Sequence, residues 1–330
     1  MKPHILIVGI GGRTGSMFAR ELGGVCRITG VGRDQEINSI KAGDIAVQAE
    51  GGDQQVLKVD VIRSSEYGSV AKVLAPDYIF VTTRNPVGEV VKNYYQPFAG
   101  STQIPKLVLS QNGLSAIADA KKALTEIFGE ATAKIDIIRV SLLNPIDARA
   151  DGSRLIISYR LPIKLGFGSQ GPADAAEIAG VFQKAAFKAE QFSGTQVLAM
   201  ERAKLFLNLI GMASAVAGLP VGEGLADPKT FTQEILMLRE YAQVVKKSKG
   251  SFATLGGYPI GQISFLLSYV PMPLLVMARK KLIAIVAKNR NNKPKDLGEI
   301  DYYNGEVVRL GKAVGVATPV NEEIVRRAKK

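Results

Sequence analysis

The chain of 330 residues contains one cysteine, one histidine and no tryptophan. The single Cys26 excludes an intramolecular disulfide, which predicts a reducing compartment such as the cytoplasm. Because the only histidine, His4, lies at the start of a predicted strand, chemistry that needs a histidine acid or base has no candidate. A zinc site built from histidine and cysteine clusters is excluded for the same reason, so no metal is expected.

Long hydrophobic runs are also scarce. The first run, His4–Val8, is too short for a secretory signal. Only the uncharged segment Pro259–Ala278 has about the length needed to cross a bilayer. Because Pro271 and Pro273 interrupt it, we interpret it as a pair of buried helices in a soluble protein and expect no membrane span.

The formal net charge of +12 indicates a basic surface. The charges are scattered and become dense only at 246–249 and 326–330. A positive field of this kind would help to capture anionic small molecules. Nucleic acid is not an expected partner, because basic and aromatic residues do not alternate as they do in nucleic-acid-binding modules.

In the first half of the chain, short apolar runs alternate with stretches of helical periodicity. This order predicts a parallel β-sheet covered by helices on both faces. The predicted strands are Ile5–Val8, Arg27–Val31, Val56–Ile62, Tyr78–Thr82, Leu107–Leu109, Ile135–Val140 and Leu155–Tyr159, and the predicted helices are Ser16–Leu22, Val87–Tyr94 and Ser115–Ile127.

The pattern changes at the glycine-rich segment Gly166–Pro172, which predicts one domain over residues 1–170 and another over 171–330. We predict no strand beyond Ala173 and therefore expect an all-helical second domain. Its predicted helices are Ala173–Phe187, Leu198–Ala217, Phe231–Lys247 and Glu299–Val314.

A glycine-rich turn follows the first predicted strand and opens the first predicted helix. In this context glycines allow a tight turn and a close approach of the backbone to a pyrophosphate, which the helix N-terminus then binds. The turn predicts a Rossmann domain with the phosphate-binding residues Gly9, Gly11, Gly12, Arg13, Thr14 and Gly15. Thr14 replaces the third glycine of the strict G-x-G-x-x-G pattern, and Gly15 indicates a loop one residue longer.

The residue after the second strand distinguishes NAD from NADP in such domains, because an acidic side chain there binds the ribose hydroxyls of NAD. Here Arg33 follows Gly32, which predicts binding of the 2′-phosphate of NADP(H). There are two alternatives: Arg33 is a plain surface residue, or Asp34 serves NAD after a shift of one residue.

Lys204 and Asn208 lie four residues apart in an apolar helical stretch, so they share one helix face. Such a polar pair is either an exposed edge or part of a functional site. A lysine ammonium can stabilise and protonate the alkoxide that forms when a hydride reduces a carbonyl group. In the absence of a usable histidine, Lys204 is the predicted catalytic acid.

Three further polar residues occupy positions typical of ligand binding. Arg84 and Asn112 follow predicted strands, and ligands bind beyond the carboxyl ends of strands in such folds. Asn112-Gly113 is also a common turn pair, which is the alternative interpretation. Glu299 opens a predicted helix, where the helix dipole favours a carboxylate.

Taken in order, these segments resemble the ketopantoate reductase (2-dehydropantoate 2-reductase) family. The motifs that carry the resemblance are the glycine turn, Arg33, Gln111-Asn112-Gly113, Lys204-x-x-x-Asn208, Glu299-Ile300-Asp301-Tyr302-x-Asn304-Gly305 and Gly315-Val316-x-Thr318-Pro319. The resemblance covers nearly the whole chain.

The resemblance implies a Rossmann domain followed by an all-α domain like that of 6-phosphogluconate dehydrogenase. It implies reduction of 2-dehydropantoate to pantoate by NADPH, a step towards coenzyme A, and a homodimer by analogy. By the same resemblance Lys204 donates the proton, Asn208 binds substrate, Asn112 contacts cofactor and substrate, and Glu299 contacts the cofactor. Arg84 replaces a cofactor-binding lysine of the family.

The sequence departs from the family at substrate contacts. Met212 and Val221 stand where asparagines are usual in the family. The family's serine before the glutamate, which corresponds to Glu299, is missing from Ala287–Arg290, where Asn289 or Arg290 would replace it. These changes leave three functions open: reduction of 2-dehydropantoate, reduction of a more apolar 2-oxo acid, and non-catalytic binding of NADP.

Overall fold

The computed structural model describes residues 2–169, 175–185, 187–287 and 293–330, with 281–287 described by their backbone only. The chain forms two compact units. The first comprises residues 1–111 and 115–197, and the second comprises 112–114 and 198–330.

The first unit contains twelve strands among its described residues. They are β1 (His4–Val8), β2 (Arg27–Gly32), β3 (Ile45–Ala49), β4 (Gln55–Val56), β5 (Asp60–Arg63), β6 (Tyr78–Val81), β7 (Lys106–Leu109), β8 (Ile137–Leu142), β9 (Ile146–Asp151), β10 (Arg154–Tyr159), β11 (Ile163–Ser169) and β12 (Phe187–Ser193). Eight of them form one sheet in the order β12-β11-β8-β7-β6-β1-β2-β5, and four form a second sheet in the order β4-β3-β10-β9.

The helices of the first unit are α1 (Arg13–Leu22), α2 (Asp34–Ala42), α3 (Tyr67–Leu74), α4 (Gly88–Tyr95), α5 (Ala116–Phe128) and α6 (Ala176–Lys184). The central strand β1 pairs in parallel with β2 and β6. All five of its residues are buried, as expected for a parallel strand with both faces covered. The predicted parallel sheet is therefore confirmed.

The only histidine has a structural role in β1. Its two ring nitrogens lie 2.9 Å from the Leu74 carbonyl oxygen and 2.9 Å from the Thr29 hydroxyl. Burial lowers the pKa of His4, because the charged imidazolium loses its hydration.

Strand β12 corrects the expectation that no strand follows residue 173. It pairs in parallel with β11 at the edge of the large sheet, from Phe187 opposite Ile163 to Ser193 opposite Ser169. Its polar composition, as expected for an edge strand, conceals it in the sequence. Because β12 belongs to this sheet, the first unit continues to Val197.

Two other predicted strands differ in detail from the structure. The run Val56–Ile62 contains the end of β4 and most of β5, which belong to different sheets. The run Leu155–Tyr159 forms most of β10, which lies in the small sheet rather than extending the large one.

Helix α7 (Thr195–Leu209) leads into the second unit, which is mostly helical. Its further helices are α8 (Met212–Val216), α9 (Val221–Ala226), α10 (Pro228–Lys247), α11 (Ile260–Tyr269), α12 (Met272–Ala287), α13 (Asn304–Val314) and α14 (Pro319–Ala328). A short hairpin of β13 (Thr254–Leu255) and β14 (Tyr258–Pro259) precedes α11.

The predicted helix Leu198–Ala217 is interrupted at Gly211, which has a φ of +92°. A left-handed residue cannot continue an α-helix. The buried carboxylate of Glu234 accepts hydrogen bonds from the backbone N–H groups of Gly211 and Ala213 and thereby satisfies the start of α8. The break therefore separates α7 from α8.

Buried polar side chains join α10, α13 and α14. The Glu240 carboxylate accepts hydrogen bonds from the backbone N–H groups of Val320 (2.8 Å) and Asn321 (3.0 Å) at the start of α14. Asn304 donates to the side-chain oxygen of Asn321 at 2.9 Å. Because buried polar groups must be paired, these bonds fix the packing of the three helices.

The apolar segment Pro259–Ala278 forms α11 and the first part of α12. The prediction of two helices is confirmed, but the prediction that they are buried is wrong for one face of each. The exposed large side chains are Phe265 (66 %), Leu266 (51 %), Tyr269 (62 %), Leu274 (55 %) and Met277 (78 %). Within the described residues, no helix has both the length and the hydropathy to cross a membrane.

Candidate active site

The predicted site residues fall into two groups, one in each unit. The first group surrounds the glycine turn between β1 and α1. Gly9 has a φ of +89°, and its carbonyl oxygen accepts the N–H of Gly12 at 3.0 Å. Helix α1 begins at the next residue, Arg13, so the turn delivers the chain directly to a helix N-terminus.

Gly15 is the tightest point of this turn. A Cβ atom at Gly15 would lie 2.3 Å from the Gly9 carbonyl oxygen and 2.9 Å from the Thr82 hydroxyl oxygen. Only glycine therefore allows α1 to approach the turn so closely. The close contact involves Gly9, Gly12 and Gly15, which explains how the loop tolerates Thr14 in place of the usual third glycine.

The first turn of α1 is suited to a pyrophosphate. It contains no acidic residue, and no side chain of the described part of the chain caps it. Its backbone N–H groups and the positive end of the helix dipole favour an anion. Arg13 is exposed, and its guanidinium lies 3.4 Å from the Ile146 carbonyl oxygen, a long hydrogen bond that a phosphate would displace.

The loop after β6 supports the turn from the neighbouring strand. Thr82 donates its hydroxyl hydrogen to the carbonyl oxygen of Val8 at 2.7 Å. The same hydroxyl oxygen lies 3.3 Å from the carbonyl oxygen of Gly9. Two residues later, Arg84 is exposed at the same end of the sheet. Arg84 was predicted from the sequence as a site residue, whereas Thr82 was not.

The end of β2 holds an ion pair. The guanidinium of Arg33 lies 2.7 Å from the carboxylate of Glu36, which also accepts the backbone N–H of Arg33 at 2.9 Å. This carboxylate raises the pKa of Arg33 through its hydrogen bond and its charge. Glu36 also lies over the turn, because a Cβ at Gly11 would be 2.8 Å from the Glu36 side chain.

Glu36 is an acidic residue at this position that was not predicted from the sequence. Asp34, the predicted alternative, forms a longer ion pair with Arg63 at 3.6 Å. Glu36 lies on the first turn of α2, and only the geometry of that turn brings its carboxylate back to the end of β2. The end of β2 thus presents both a cation and an anion.

Gln111 and Arg139 fix the loop after β7. Gln111 donates to the carbonyl oxygens of Val81 (2.8 Å) and Thr83 (3.0 Å). The buried guanidinium of Arg139 donates to the carbonyl oxygens of Leu109 (3.1 Å) and Gln111 (2.8 Å). Both side chains therefore support the backbone that leads to Asn112.

The second group of site residues lies in the helical unit and converges on Asn112. Its amide nitrogen donates to the carboxylate of Glu299 and to the hydroxyl of Tyr303, each at 2.9 Å. Its amide oxygen accepts a hydrogen bond of 3.0 Å from Asn208. The Tyr303 hydroxyl in turn donates to Glu299 at 3.0 Å. We call Asn112, Asn208, Glu299 and Tyr303 the Asn112 cluster.

Gly113 allows Asn112 to reach this cluster. It has a φ of +89°, and a Cβ there would lie 3.1 Å from the carbonyl oxygen of Tyr302. The Asn-Gly pair is thus a turn, as the alternative interpretation proposed. The same turn also delivers a polar side chain to the other predicted site residues, so the two interpretations are compatible.

Lys204 lies one turn before Asn208 on α7 and is partly buried. Four residues of helix place its side chain on the face that carries Asn208. The Asn112 cluster therefore contains three of the residues predicted in this unit, and Lys204 lies next to it along the helix.

Lys295 is a basic residue that the sequence analysis missed. Its ammonium donates to the carbonyl oxygens of Asn208 (2.5 Å) and Ile210 (3.1 Å) and lies 5.8 Å from the centre of the Tyr303 ring. It thus satisfies carbonyl groups at the C-terminal end of α7. The suggested serine substitutes Asn289 and Arg290 lie outside the described residues.

The two apolar substitutions belong to the core. Met212 and Val221 are almost completely buried, and a Cβ at Gly211 would lie 2.6 Å from Val221.

The motif Gly315-Val316-x-Thr318-Pro319 also has a structural role. Thr318 is buried, and a Cβ at Gly311 would lie 2.8 Å from its methyl group, which brings α13 close to the start of α14.

Comparison with known proteins identifies the family. The model of the ketopantoate reductase PanE/ApbA family matches residues 5–137, and the model of the ketopantoate reductase PanE/ApbA C-terminal domain matches residues 196–330. The chain belongs to the ketopantoate reductase family. Members of this family are NAD(P)-dependent oxidoreductases that act on CH–OH groups, and the family's Rossmann and helical domains agree with the fold described above.

Solved structures share this fold at low sequence identity. A PanE/ApbA family ketopantoate reductase from Ralstonia eutropha JMP134 is 16% identical, with a TM-score of 0.73 over 99% of this chain and 97% of that one. A 2-dehydropantoate 2-reductase from Geobacter metallireducens GS-15 is 17% identical, with a TM-score of 0.69 over 99% of both chains.

A ternary structure of D-mandelate dehydrogenase with NADH and anilino(oxo)acetate is 15% identical to this chain. Its TM-score is 0.73 over 99% of this chain and 97% of that one. A search of curated sequences finds no significant match. The fold therefore occurs in proteins that differ in substrate.

We predict that Gly15→Ala weakens binding of the dinucleotide at least about tenfold, because the new methyl group would force α1 away from the Gly9 carbonyl oxygen. Titration of NADPH and NADH by fluorescence measures the effect. Gly24→Ala is the matched control, since it is exposed and a Cβ there meets no atom within 4 Å. Equal affinities of the two variants would contradict the predicted phosphate site.

Proposed function

We propose that this protein reduces a 2-oxo acid to a 2-hydroxy acid with NADPH and that 2-dehydropantoate is its substrate. The observation that carries the proposal is the position of Lys204, one helical turn from Asn208, which donates to Asn112, while Asn112 donates to Glu299. A cation and an amide donor on adjacent turns of one helix suit a substrate with a carboxylate and a carbonyl group.

The residues around the glycine turn fit a dinucleotide. The absence of Cβ atoms at Gly9, Gly12 and Gly15 leaves backbone N–H groups accessible at the start of α1, which would hold the pyrophosphate. Arg13 and Thr14 would add contacts to it, and Gly11 belongs to the same turn. The bound nicotinamide would supply a hydride to the substrate carbonyl carbon.

Lys204 acts on the carbonyl oxygen in this proposal. As the carbon accepts the hydride, the C=O π electrons move to the oxygen, and the Lys204 ammonium stabilises the developing alkoxide. Lys204 then donates its proton to give the hydroxyl group and is reprotonated from solvent. Asn208 would hold the substrate, while Asn112 and Glu299 would exchange their mutual hydrogen bonds for bonds to cofactor and substrate.

Two observations favour a second candidate substrate, a more apolar 2-oxo acid. Met212 and Val221 contribute no polar atom where family members use asparagine, and both are buried. D-mandelate dehydrogenase, which shares the fold, is described with anilino(oxo)acetate, an oxo acid that carries an aromatic group. The first substrate, 2-dehydropantoate, would place the protein on the route to pantothenate and coenzyme A. The proposal also includes a cytoplasmic location and a homodimer.

We predict that Lys204→Ala lowers kcat about 10²–10⁴-fold while the affinity for NADPH stays unchanged, because the variant loses only the proton donor. Turnover is measured as the decrease in NADPH absorbance, in separate assays with 2-dehydropantoate and with phenylglyoxylate, an apolar 2-oxo acid. The two rates also show which of the two candidate substrates the protein reduces. Lys188→Ala, an exposed lysine of β12, serves as control. Undiminished turnover by Lys204→Ala would refute the acid role, and a wild-type protein that binds NADPH but reduces neither acid would support a non-catalytic function.

The cofactor proposal rests on Arg33 and Arg84, whose charges suit the 2′-phosphate of NADPH. Glu36 favours NADH as the second candidate, because a carboxylate at the end of β2 is suited to ribose hydroxyls and repels a phosphate.

We predict that Arg33→Ala lowers kcat/KM for NADPH by about 10–100-fold and leaves kcat/KM for NADH nearly unchanged, since it removes a charge-assisted hydrogen bond to the phosphate. Glu36→Gln is expected to shift the preference further towards NADPH. Steady-state kinetics with both cofactors measures each ratio. If Arg33→Ala leaves the ratio unchanged while Glu36→Gln lowers activity with NADH, the protein uses NADH.

A further inference from the structure

One segment of the chain holds most of its net charge. Between Tyr241 and Lys295 the sequence contains ten lysine and arginine residues and no aspartate or glutamate. The whole chain has 42 basic and 30 acidic residues, so the remaining 275 residues carry 32 basic against 30 acidic side chains. The net positive charge is therefore concentrated in this segment, which corrects the expectation of a basic surface with scattered charges.

The same segment holds six of the ten exposed large apolar side chains among the described residues, and five of the six lie on α11 and α12. On α11 they are Phe265, Leu266 and Tyr269, and on α12 they are Leu274 and Met277. On each helix the exposed residues recur at intervals of three to four, so they lie on one side of it. We call these five residues the apolar face.

Their aromatic members associate with each other and with a lysine. The rings of Phe265 and Tyr269 lie 4.6 Å apart between centroids. The ammonium of Lys246 lies 3.2 Å from the Tyr269 hydroxyl and 5.8 Å from its ring centre. On α12 the exposed Lys280 follows Met277 within one turn. Basic groups thus border the apolar face at both helices.

The opposite sides of both helices are packed against the protein. Arg239 of α10 donates to the carbonyl oxygens of Leu267 and Val270 at the end of α11. Arg279 donates to the carbonyl oxygen of Ala226 at 3.2 Å, which ties α12 to the end of α9. The apolar face is therefore presented to solvent by helices that are fixed from behind.

We propose that the apolar face docks on an anionic lipid membrane surface. The five side chains enter the boundary between headgroups and acyl chains, and the bordering lysines contact lipid phosphates. An interfacial segment of this kind combines an apolar face with Phe, Leu and Tyr, a basic border and no acidic residue. The proposal is independent of the proposed reaction.

The charge distribution disfavours the other occupants of this face. In a symmetric dimer the same patch of both copies would meet, which would bring the bordering lysines Lys246 and Lys280 of the two copies together. A nucleic acid would match the charge but not the exposed Leu266, Leu274 and Met277. An anionic bilayer offers both a negative surface and an apolar interior.

Sedimentation of the full-length protein with lipid vesicles tests the proposal. We expect it to pellet with vesicles of phosphatidylcholine mixed with phosphatidylglycerol and to stay in solution with phosphatidylcholine alone. Binding should weaken as salt is added, because salt screens the attraction between lysines and phosphates. Failure to bind the mixed vesicles at low salt would overturn the proposal.

Two pairs of variants test the apolar face and its basic border. Leu266→Glu combined with Met277→Glu should lower vesicle affinity at least about tenfold, whereas Val73→Glu, at an 87% exposed residue of α3, should change it little. Lys246→Glu with Lys280→Glu should lower it more than Lys184→Glu with Lys188→Glu, which makes the same change of net charge on the first unit.

Thermal unfolding, dinucleotide binding and light scattering complete the test. We expect unchanged unfolding midpoints and dinucleotide affinities for all variants, which would show that the face is not needed for folding. Equal loss of vesicle binding by test and control variants would overturn the proposal. So would light scattering that shows a wild-type dimer converted to monomer by Leu266→Glu with Met277→Glu, because the face would then join two copies.

Discussion

The hydrogen bonds of Asn112 are the constraint on which the helical unit's site depends. One amide group joins Asn208 of α7 to Glu299 and Tyr303. Asn208 is 96 residues from Asn112 in the chain, and Glu299 and Tyr303 are 187 and 191 residues from it. A partly buried amide without partners is costly, so each of these side chains holds the others in place. Gly113 makes the arrangement possible, since its left-handed backbone turns Asn112 towards the helices.

In each unit, tightly packed residues hold in place polar groups that could bind a ligand. In the first unit, close packing of Gly15 on Gly9 leaves a helix N-terminus accessible, and Thr82 fixes the turn from the adjacent strand. In the second unit, buried pairs such as Glu240 with Asn321 and Asn304 with Asn321 fix α13, which begins directly after Tyr303. Several residues that mark the family, including Asn304 and Thr318, are among these packed residues.

The sequence predicted the features that depend on local physics. Buried strands such as β1 are continuous apolar runs, and the spacing of the glycines indicates a tight turn. The sequence did not predict β12, because an edge strand pairs on one side only and needs few apolar residues. Tyr303 and Lys295 were missed because their partners lie far away in the chain. Glu36 was missed because its contact with Arg33 depends on where α2 begins. The exposure of Phe265 and Met277 was mispredicted, since composition shows that a segment is apolar but not which of its faces lacks a neighbour.

The proposed reaction is tested most directly by following the hydride. The protein is incubated with a 2-oxo acid and with NADPH or NADH that carries deuterium at both C4 positions of the nicotinamide, and the product is analysed by mass spectrometry and NMR. We predict a 2-hydroxy acid with one deuterium at C2. An unlabelled product, or no oxidation of either cofactor with 2-dehydropantoate or phenylglyoxylate, would contradict the account.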